Sequence, residues 1–333
     1  MSLTAVIDAD YIAYAVASAG EKRTVIVTHK PSGRELEVKT RTEWHGHHLK
    51  KDGGMLAKIN ENRTSPFSAD EFEFEDVQTK EPIENVLHSA KMMFQGAYNQ
   101  VDADGWVGFL GGSTNFRDDV ATILRYKGNR ENLMKPLYLQ EVREYLVRRF
   151  NLEVVDGIEA DDACIMEAYG KDDHVVVAVD KDAAGNHVKW YNPNNPEAGI
   201  VDCRQFGKLW LNAKGDVKGV GRMFFYFQCG FGDPVDAYRA NSACDKQWGQ
   251  KSAYKALSHC TNDKEAMEAL KGVYQTLYPE SKTITGWRVE EIEIDWKYVL
   301  NENWQLARML RNLDELKSPI LATDVMDKMG IEL

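Results

Sequence analysis

The chain has 333 residues, with 41 Lys+Arg against 52 Asp+Glu for a formal charge of -11, and 10% aromatic residues. At roughly 150 residues per domain this supports about two units with buried cores, and the aromatic content excludes general disorder. The longest purely aliphatic stretch, residues 175–179, is far short of the roughly 18 apolar residues a membrane helix needs, so no membrane partner is expected.

The N-terminus has no basic flank and places Asp8 and Asp10 where an export signal would be apolar, so a cytoplasmic protein is expected; a monomer is a separate expectation. Five cysteines stand far apart without a CxxC pair, which predicts reduced structural thiols rather than a disulfide framework or zinc site. The acidic balance disfavours a bulk electrostatic DNA binder, but net charge does not say where the charges sit.

Residues 3–7 form an apolar run ending in Asp8 and read as a strand, followed by a helix. Residues 24–28 and 36–40 are β-prone and flank Pro31-Ser32-Gly33, a turn-type cluster that predicts a hairpin. From Trp44 to Glu81 the chain is polar, with Gly53-Gly54 and an acidic patch at residues 70–76, so residues 21–82 read as an insertion. Its His45-Gly46-His47-His48 has no cysteine nearby and reads as an exposed loop rather than a zinc site.

Residues 106–110, 152–155 and 175–179 are further apolar runs separated by segments of helical length. That alternation predicts an α/β fold, a mostly parallel central sheet flanked by helices, and continuous apolar runs suit strands covered on both faces. After Gly215 the texture turns helical, at residues 222–231, 251–258, 264–277 and 303–316.

Ligands of open α/β sheets bind beyond the carboxyl ends of the strands, so acids just after apolar runs carry information. Asp8 follows the first run, Glu159, Asp161 and Asp162 follow the third, and Asp180 and Asp182 follow the fourth. Asp233 and Asp236 form a further pair in Gly232-Asp233-Pro234-Val235-Asp236. Brought together, these eight carboxylates would repel strongly without hard divalent cations, and oxygen ligands suit Mg²⁺ or Mn²⁺. Asp10 stays ambiguous, because on a strand or first helical turn it points away from Asp8.

Residues 117–150 hold eight basic residues against five acids, a local excess of cations in an acidic chain. Within them, Arg125-Tyr126-Lys127-Gly128-Asn129-Arg130 combines three cations with a ring. Cations can hold phosphates and a tyrosine can stack on a base.

Taken together, these motifs resemble the 5′-nuclease superfamily, phage-type 5′ to 3′ exonucleases and flap endonucleases. The match rests on Val6-Ile7-Asp8, Tyr126-Lys127-Gly128-Asn129-Arg130, Gly157-Ile158-Glu159-Ala160-Asp161-Asp162, Val179-Asp180-Lys181-Asp182 and Gly232-Asp233-Pro234-Val235-Asp236, in that order. It covers residues 3–18 and about 106–257.

The resemblance implies a Mg²⁺-dependent nuclease of phage type that cleaves DNA with a free 5′ end, duplex or flapped, with RNA:DNA hybrid as an open alternative. One ion would be served by Asp8, Glu159, Asp161 and Asp162 and the other by Asp180, Asp182, Asp233 and Asp236. Lys127 and Arg130 would act catalytically on the scissile phosphate, with Arg125 and Tyr126 binding nucleic acid. Gly249-Gln250-Lys251-Ser252-Ala253 looks like the family's helix-turn-helix element, which implies a duplex grip by Lys251 and Ser252 and a monovalent cation such as K⁺.

The implied organisation is a nuclease core at residues 1–20 and 83–215 with a basic arch or gateway at about 113–150, the insertion at 21–82, the second metal pair and helix-turn-helix-like element at 216–260, and a helical region at 261–333. Two departures stand out. Many relatives carry an acid after the second core strand, where this chain has Gly111-Gly112-Ser113, and Asp236 is followed by Ala237-Tyr238-Arg239-Ala240-Asn241 in place of the usual Asn-Ile-Pro-Gly. The rival readings are a haloacid-dehalogenase-type phosphatase, suggested by Asp8-Ala9-Asp10, and a non-catalytic nucleic-acid-binding protein.

Overall fold

The computed structural model describes residues 2–47, 53–131 and 133–333. The chain forms two compact units, one of residues 1–12, 91–134 and 145–333 and the other of residues 13–90 and 135–144.

The larger unit is built on a six-stranded sheet in the spatial order Glu153–Gly157, Gly105–Asn115, Thr4–Asp8, His174–Val177, Lys189–Tyr191, Val201–Asp202. The first five strands run parallel and the last is antiparallel, so the fold is α/β with a mostly parallel sheet. Ala5, Val6 and Ile7 of the central strand are fully buried, which is why that stretch is apolar without alternation. Helix Ala160–Ala168 lays Ala163, Cys164 and Ile165 into a core with Val6, Val155 and Val176.

Strands are added first on one side of Thr4–Asp8 and later on the other, so the order reverses between Thr4–Asp8 and His174–Val177. Such a reversal opens a crevice beyond the carboxyl ends of the two strands. Asp8 ends one of them, and Asp180 lies just past the other.

Helices Arg222–Phe231, Gln250–Leu257, Asp263–Leu277 and Trp296–Ala307 build a second core in this unit around Met223, Leu257, Leu270, Tyr274 and Leu300. The first three fall on expected segments. The expected helix at 303–316 instead starts earlier and stops at Ala307, where Arg308 turns extended at φ -80, ψ 124. The buried Arg117 guanidinium takes the carbonyls of Leu306 and Arg308 at 3.0 Å each, so the chain there is bonded across the fold rather than along a helix. Two short hairpins, Lys208–Leu211 with Val217–Val220 and Lys282–Thr285 with Glu291–Ile294, lie outside the segments expected to be helical.

The smaller unit carries an antiparallel sheet in the order Arg34–Val38, Glu21–His29, Phe72–Lys80. The acidic patch expected as polar insertion is the start of the third strand, and Phe72 packs with Val25, Val27, Val38 and Trp44 on its buried face. His48 of the histidine-rich loop lies outside the described residues. All five cysteines are free and four of them buried. Among the described residues, no helix is long and apolar enough to cross a membrane.

Candidate metal centre

Asp8 is 8% exposed at the end of the central strand, and its Oδ1 accepts the Asp10 N–H at 3.0 Å. Asp10 opens the following helix, and its Oδ2 accepts the Gly111 N–H at 2.9 Å. A Cβ at Gly111 would come within 2.9 Å of that oxygen. The second strand, which lacks an acid of its own at this point, therefore receives one from Asp10.

Gly157 turns the chain in the left-handed region at φ 79, a conformation glycine adopts without a Cβ penalty. Beyond that turn Glu159, Asp161 and Asp162 bring oxygens within 4.8 Å of one another. Asp180 Oδ1 accepts the Asp182 N–H at 2.9 Å, and Asp182 accepts from Gln228 on the Arg222–Phe231 helix. That helix ends at Gly232, with φ 94, where a Cβ would sit 2.4 Å from the Arg239 backbone. The turn aims Asp233, 5% exposed, and Asp236, whose backbone N–H donates to the Asp233 carbonyl at 3.1 Å.

Cations of this chain face these acids. Lys127, in the left-handed region at φ 52, pairs with Glu159 through its ammonium and donates its backbone N–H to the Asp236 carbonyl at 2.9 Å. Arg130 meets Asp236 at 2.6 Å, and Lys181 meets Asp233 at 2.5 Å. Asn129 Nδ2 lies 3.1 Å from the carbonyls of Pro234 and Val235, docking the Lys127 loop onto the Asp233 turn.

The electrostatics tie the segments together. Burial pushes Asp8 up to about 7, helped by the negative charges of Asp10, Asp180 and Glu159. Burial and then Asp180 push Asp182 up to about 8, with Asp233 and Asp236 adding to the repulsion against the opposing Lys181. Burial, Glu159 and Asp162 hold Asp161 well above the usual carboxylate range. Burial works the same way on Glu159, but the Arg117 and Lys127 cations outweigh it and keep that carboxyl low. Carboxylates from the four expected segments thus feel one another, and the all-oxygen donor set fits hard divalent ions.

Two residues stand differently from expectation. Tyr126, read from the sequence as a base-stacking ring, is 6% exposed, with its hydroxyl 2.9 Å from Glu159 Oε2 and 3.1 Å from Asp236 Oδ2; a ring enclosed in this way has no face to offer a base. Asp162 is fully buried with both oxygens engaged, by Arg117 at 2.6 and 2.9 Å, by the Glu159 N–H at 3.2 Å and by the Leu310 N–H at 3.0 Å.

Arg117 itself, 2% exposed, also reaches Glu159 at 3.3 Å. Sequence reasoning counted it only as one of eight basic residues, and no local pattern marks a single arginine as buried. Arg125 pairs with Glu131 and lies 5.5 Å over the Trp287 ring. Lys251, exposed, and Ser252 lie in the first turn of Gln250–Leu257, followed by helix Asp263–Leu277.

No family model matches the chain, and no curated protein matches it. Among solved structures it is similar to a bacteriophage T5 protein co-crystallised with metal ions, at 13% identity and a TM-score of 0.46 over 98% of this chain and 96% of that one. It is also similar to a bacteriophage T5 flap endonuclease in a pseudo-enzyme-product complex with DNA and metal ions, at 17% identity and a TM-score of 0.45 over 73% and 87% of the two chains. A mutant T5 5′-exonuclease shows 17% identity and a TM-score of 0.38 over 73% and 89%.

Proposed function

We propose that this protein is a 5′ nuclease, hydrolysing phosphodiester bonds in DNA that has a free 5′ end with the help of two Mg²⁺ or Mn²⁺ ions. The observation that carries the proposal is the electrostatic coupling of carboxylates from four segments at the reversal of strand order, Asp8 and Asp233 among them buried, with Lys127 and Arg130 beside them.

Asp8, Asp10, Glu159 and Asp161 would hold one ion, and Asp180, Asp182, Asp233 and Asp236 the other. Two such ions supply an activated water and charge stabilisation at the attacking and leaving oxygens of an in-line displacement. Asp162 and Arg117 form the buried brace that orients Glu159. Lys127 and Arg130, which pair with Glu159 and Asp236 here, would turn to the scissile phosphate and offset the charge that builds on it. Tyr126 keeps Glu159 and Asp236 in place.

Lys251 and Ser252 would grip duplex phosphates at the start of their helix, with a monovalent cation such as K⁺ nearby, and Arg125 would add a phosphate contact. The protein would act as a monomer in the cytoplasm of a phage-infected cell.

Cleavage of 5′-labelled blunt, nicked and flapped duplexes, with and without Mg²⁺, tests the reading. Mononucleotides from blunt ends identify an exonuclease, and released single-stranded flaps a structure-specific endonuclease. An RNA:DNA hybrid in the same series defines the substrate range. Hydrolysis of a small phosphomonoester with no cleavage of any duplex would overturn the proposal in favour of a phosphatase.

A further inference from the structure

The larger unit also holds a cavity of 330 Å³ with the opposite charge. Four cations line it, Arg222, Arg308, Arg311 and Lys328, against the single carboxylate of Asp263. Asp263 is engaged by Arg222 at 2.8 and 3.0 Å, and Arg308 is paired with Glu315 at 3.0 Å. Arg311 and Lys328 have no ion pair among the described residues, and both are exposed lining residues. The Arg311 guanidinium lies 4.9 Å over the ring of Tyr169, another lining residue.

Partial desolvation of its inner atoms and then the adjacent Arg308 lower the proton affinity of Arg311 against the opposing Tyr169 and Glu315, and a bound anion would relieve the repulsion between the two guanidinium groups.

We propose that this cavity binds a nucleoside monophosphate, its phosphate held by Arg311 and Lys328 and its base against the aromatic wall of Tyr169 and Phe225. Its size falls among small-molecule sites of about 300–1,000 Å³, and a free phosphate would leave the aromatic wall without a partner. The assignment stands on the cavity and not on the nuclease activity. The two sites are nevertheless connected, because Asn186 lines the cavity and donates to the Asp182 carbonyl at 2.9 Å.

Calorimetric titration of the full chain with dAMP, inorganic phosphate, deoxyadenosine and a 5′-phosphorylated oligonucleotide tests this. EDTA is present throughout, so the acidic centre takes no part and failure here is separate from failure of the nuclease proposal. The expected result is binding of dAMP, with phosphate and deoxyadenosine each at least about tenfold weaker. Arg311→Ala and Lys328→Ala should each weaken dAMP about tenfold without changing the melting temperature.

Absence of dAMP binding at millimolar concentration would overturn the site, as would binding that survives both substitutions. Phosphate binding as tightly as dAMP would overturn the nucleotide assignment. An oligonucleotide that binds far more tightly than dAMP would replace the free nucleotide with a strand terminus as the occupant.

Discussion

The Asp10 carboxylate accepts the Gly111 N–H at 2.9 Å across 101 residues of sequence, and the absence of a Cβ at Gly111 leaves the room it occupies. Gly111 does not have a positive φ, so Gly111→Ala is tolerated by the backbone and acts by displacing the carboxylate. If Asp10 completes the first ion's ligand set, Gly111→Ala and Asp10→Asn both lower cleavage by about tenfold or more and raise the Mg²⁺ concentration needed for half-maximal rate. Normal rates at limiting Mg²⁺ in both variants would remove Asp10 from the centre.

Asp161 is driven upward by burial and by its neighbours Glu159 and Asp162, so its charge is a liability in the absence of cations. Asp161→Asn should abolish cleavage while raising the melting temperature in EDTA by about 2–4 °C for each kcal/mol of relieved repulsion. Addition of Mg²⁺ should stabilise the native chain and leave this variant almost unmoved. Scanning calorimetry with and without Mg²⁺ distinguishes this from simple unfolding, which would lower the midpoint in both buffers. Asp180→Ala should likewise abolish cleavage.

Part of this arrangement was legible because two core strands are aliphatic runs with acids just behind them, as at residues 5–8 and 175–182. The strand Phe72–Lys80 was not. Its Phe-Glu-Phe-Glu start buries only one side, and its partner lies some fifty residues earlier in the chain, so locally it reads as a charged loop. The direction of Asp10 depends on a strand a hundred residues away, and the burial of Arg117 depends on a carboxylate and two carbonyls brought in by three-dimensional packing. The enclosure of Tyr126 between Glu159 and Asp236 is equally non-local.

Removal of the Arg117 guanidinium leaves Asp162 buried with no cation. Breaking a buried pair in this way costs about 3–5 kcal/mol, so Arg117→Ala should lose that much stability in a urea titration. Arg117→Met combined with Asp162→Leu should recover part of it, since replacing both charges removes the desolvation penalty. A single variant as stable as the native chain would show that the pair does not hold the Glu159 segment to Leu306 and Arg308.

Lys127 pairs with Glu159 in this structure. In the proposed reaction its ammonium matters most as charge builds on the phosphate. Lys127→Ala should therefore lower kcat by about a hundredfold with KM little changed. A loss confined to KM would make it a substrate-binding residue only.

The folded chain without metal should lose stability as pH rises from about 5 to 8. Asp8 and Asp182, at about 7 and about 8 in the folded state, lie far above the ordinary value of about 3.9 for an unfolded aspartate. Between those limits the folded chain binds more protons than the unfolded one, so stability is fully present at low pH and is lost as pH climbs through the folded values. Glu159, held low by Arg117 and Lys127, contributes with the opposite sign, but its stability is lost only below its ordinary range, outside this window. Divalent ions would offset the repulsion between deprotonated carboxylates, so Mg²⁺ should flatten the decline and raise the melting temperature most at pH 8. Calorimetric midpoints measured from pH 5 to 8 in EDTA and in Mg²⁺ test both halves; midpoints that rise with pH in EDTA would mean that the buried acids are already neutralised by Lys127, Arg130 and Lys181, leaving the ions no repulsion to relieve.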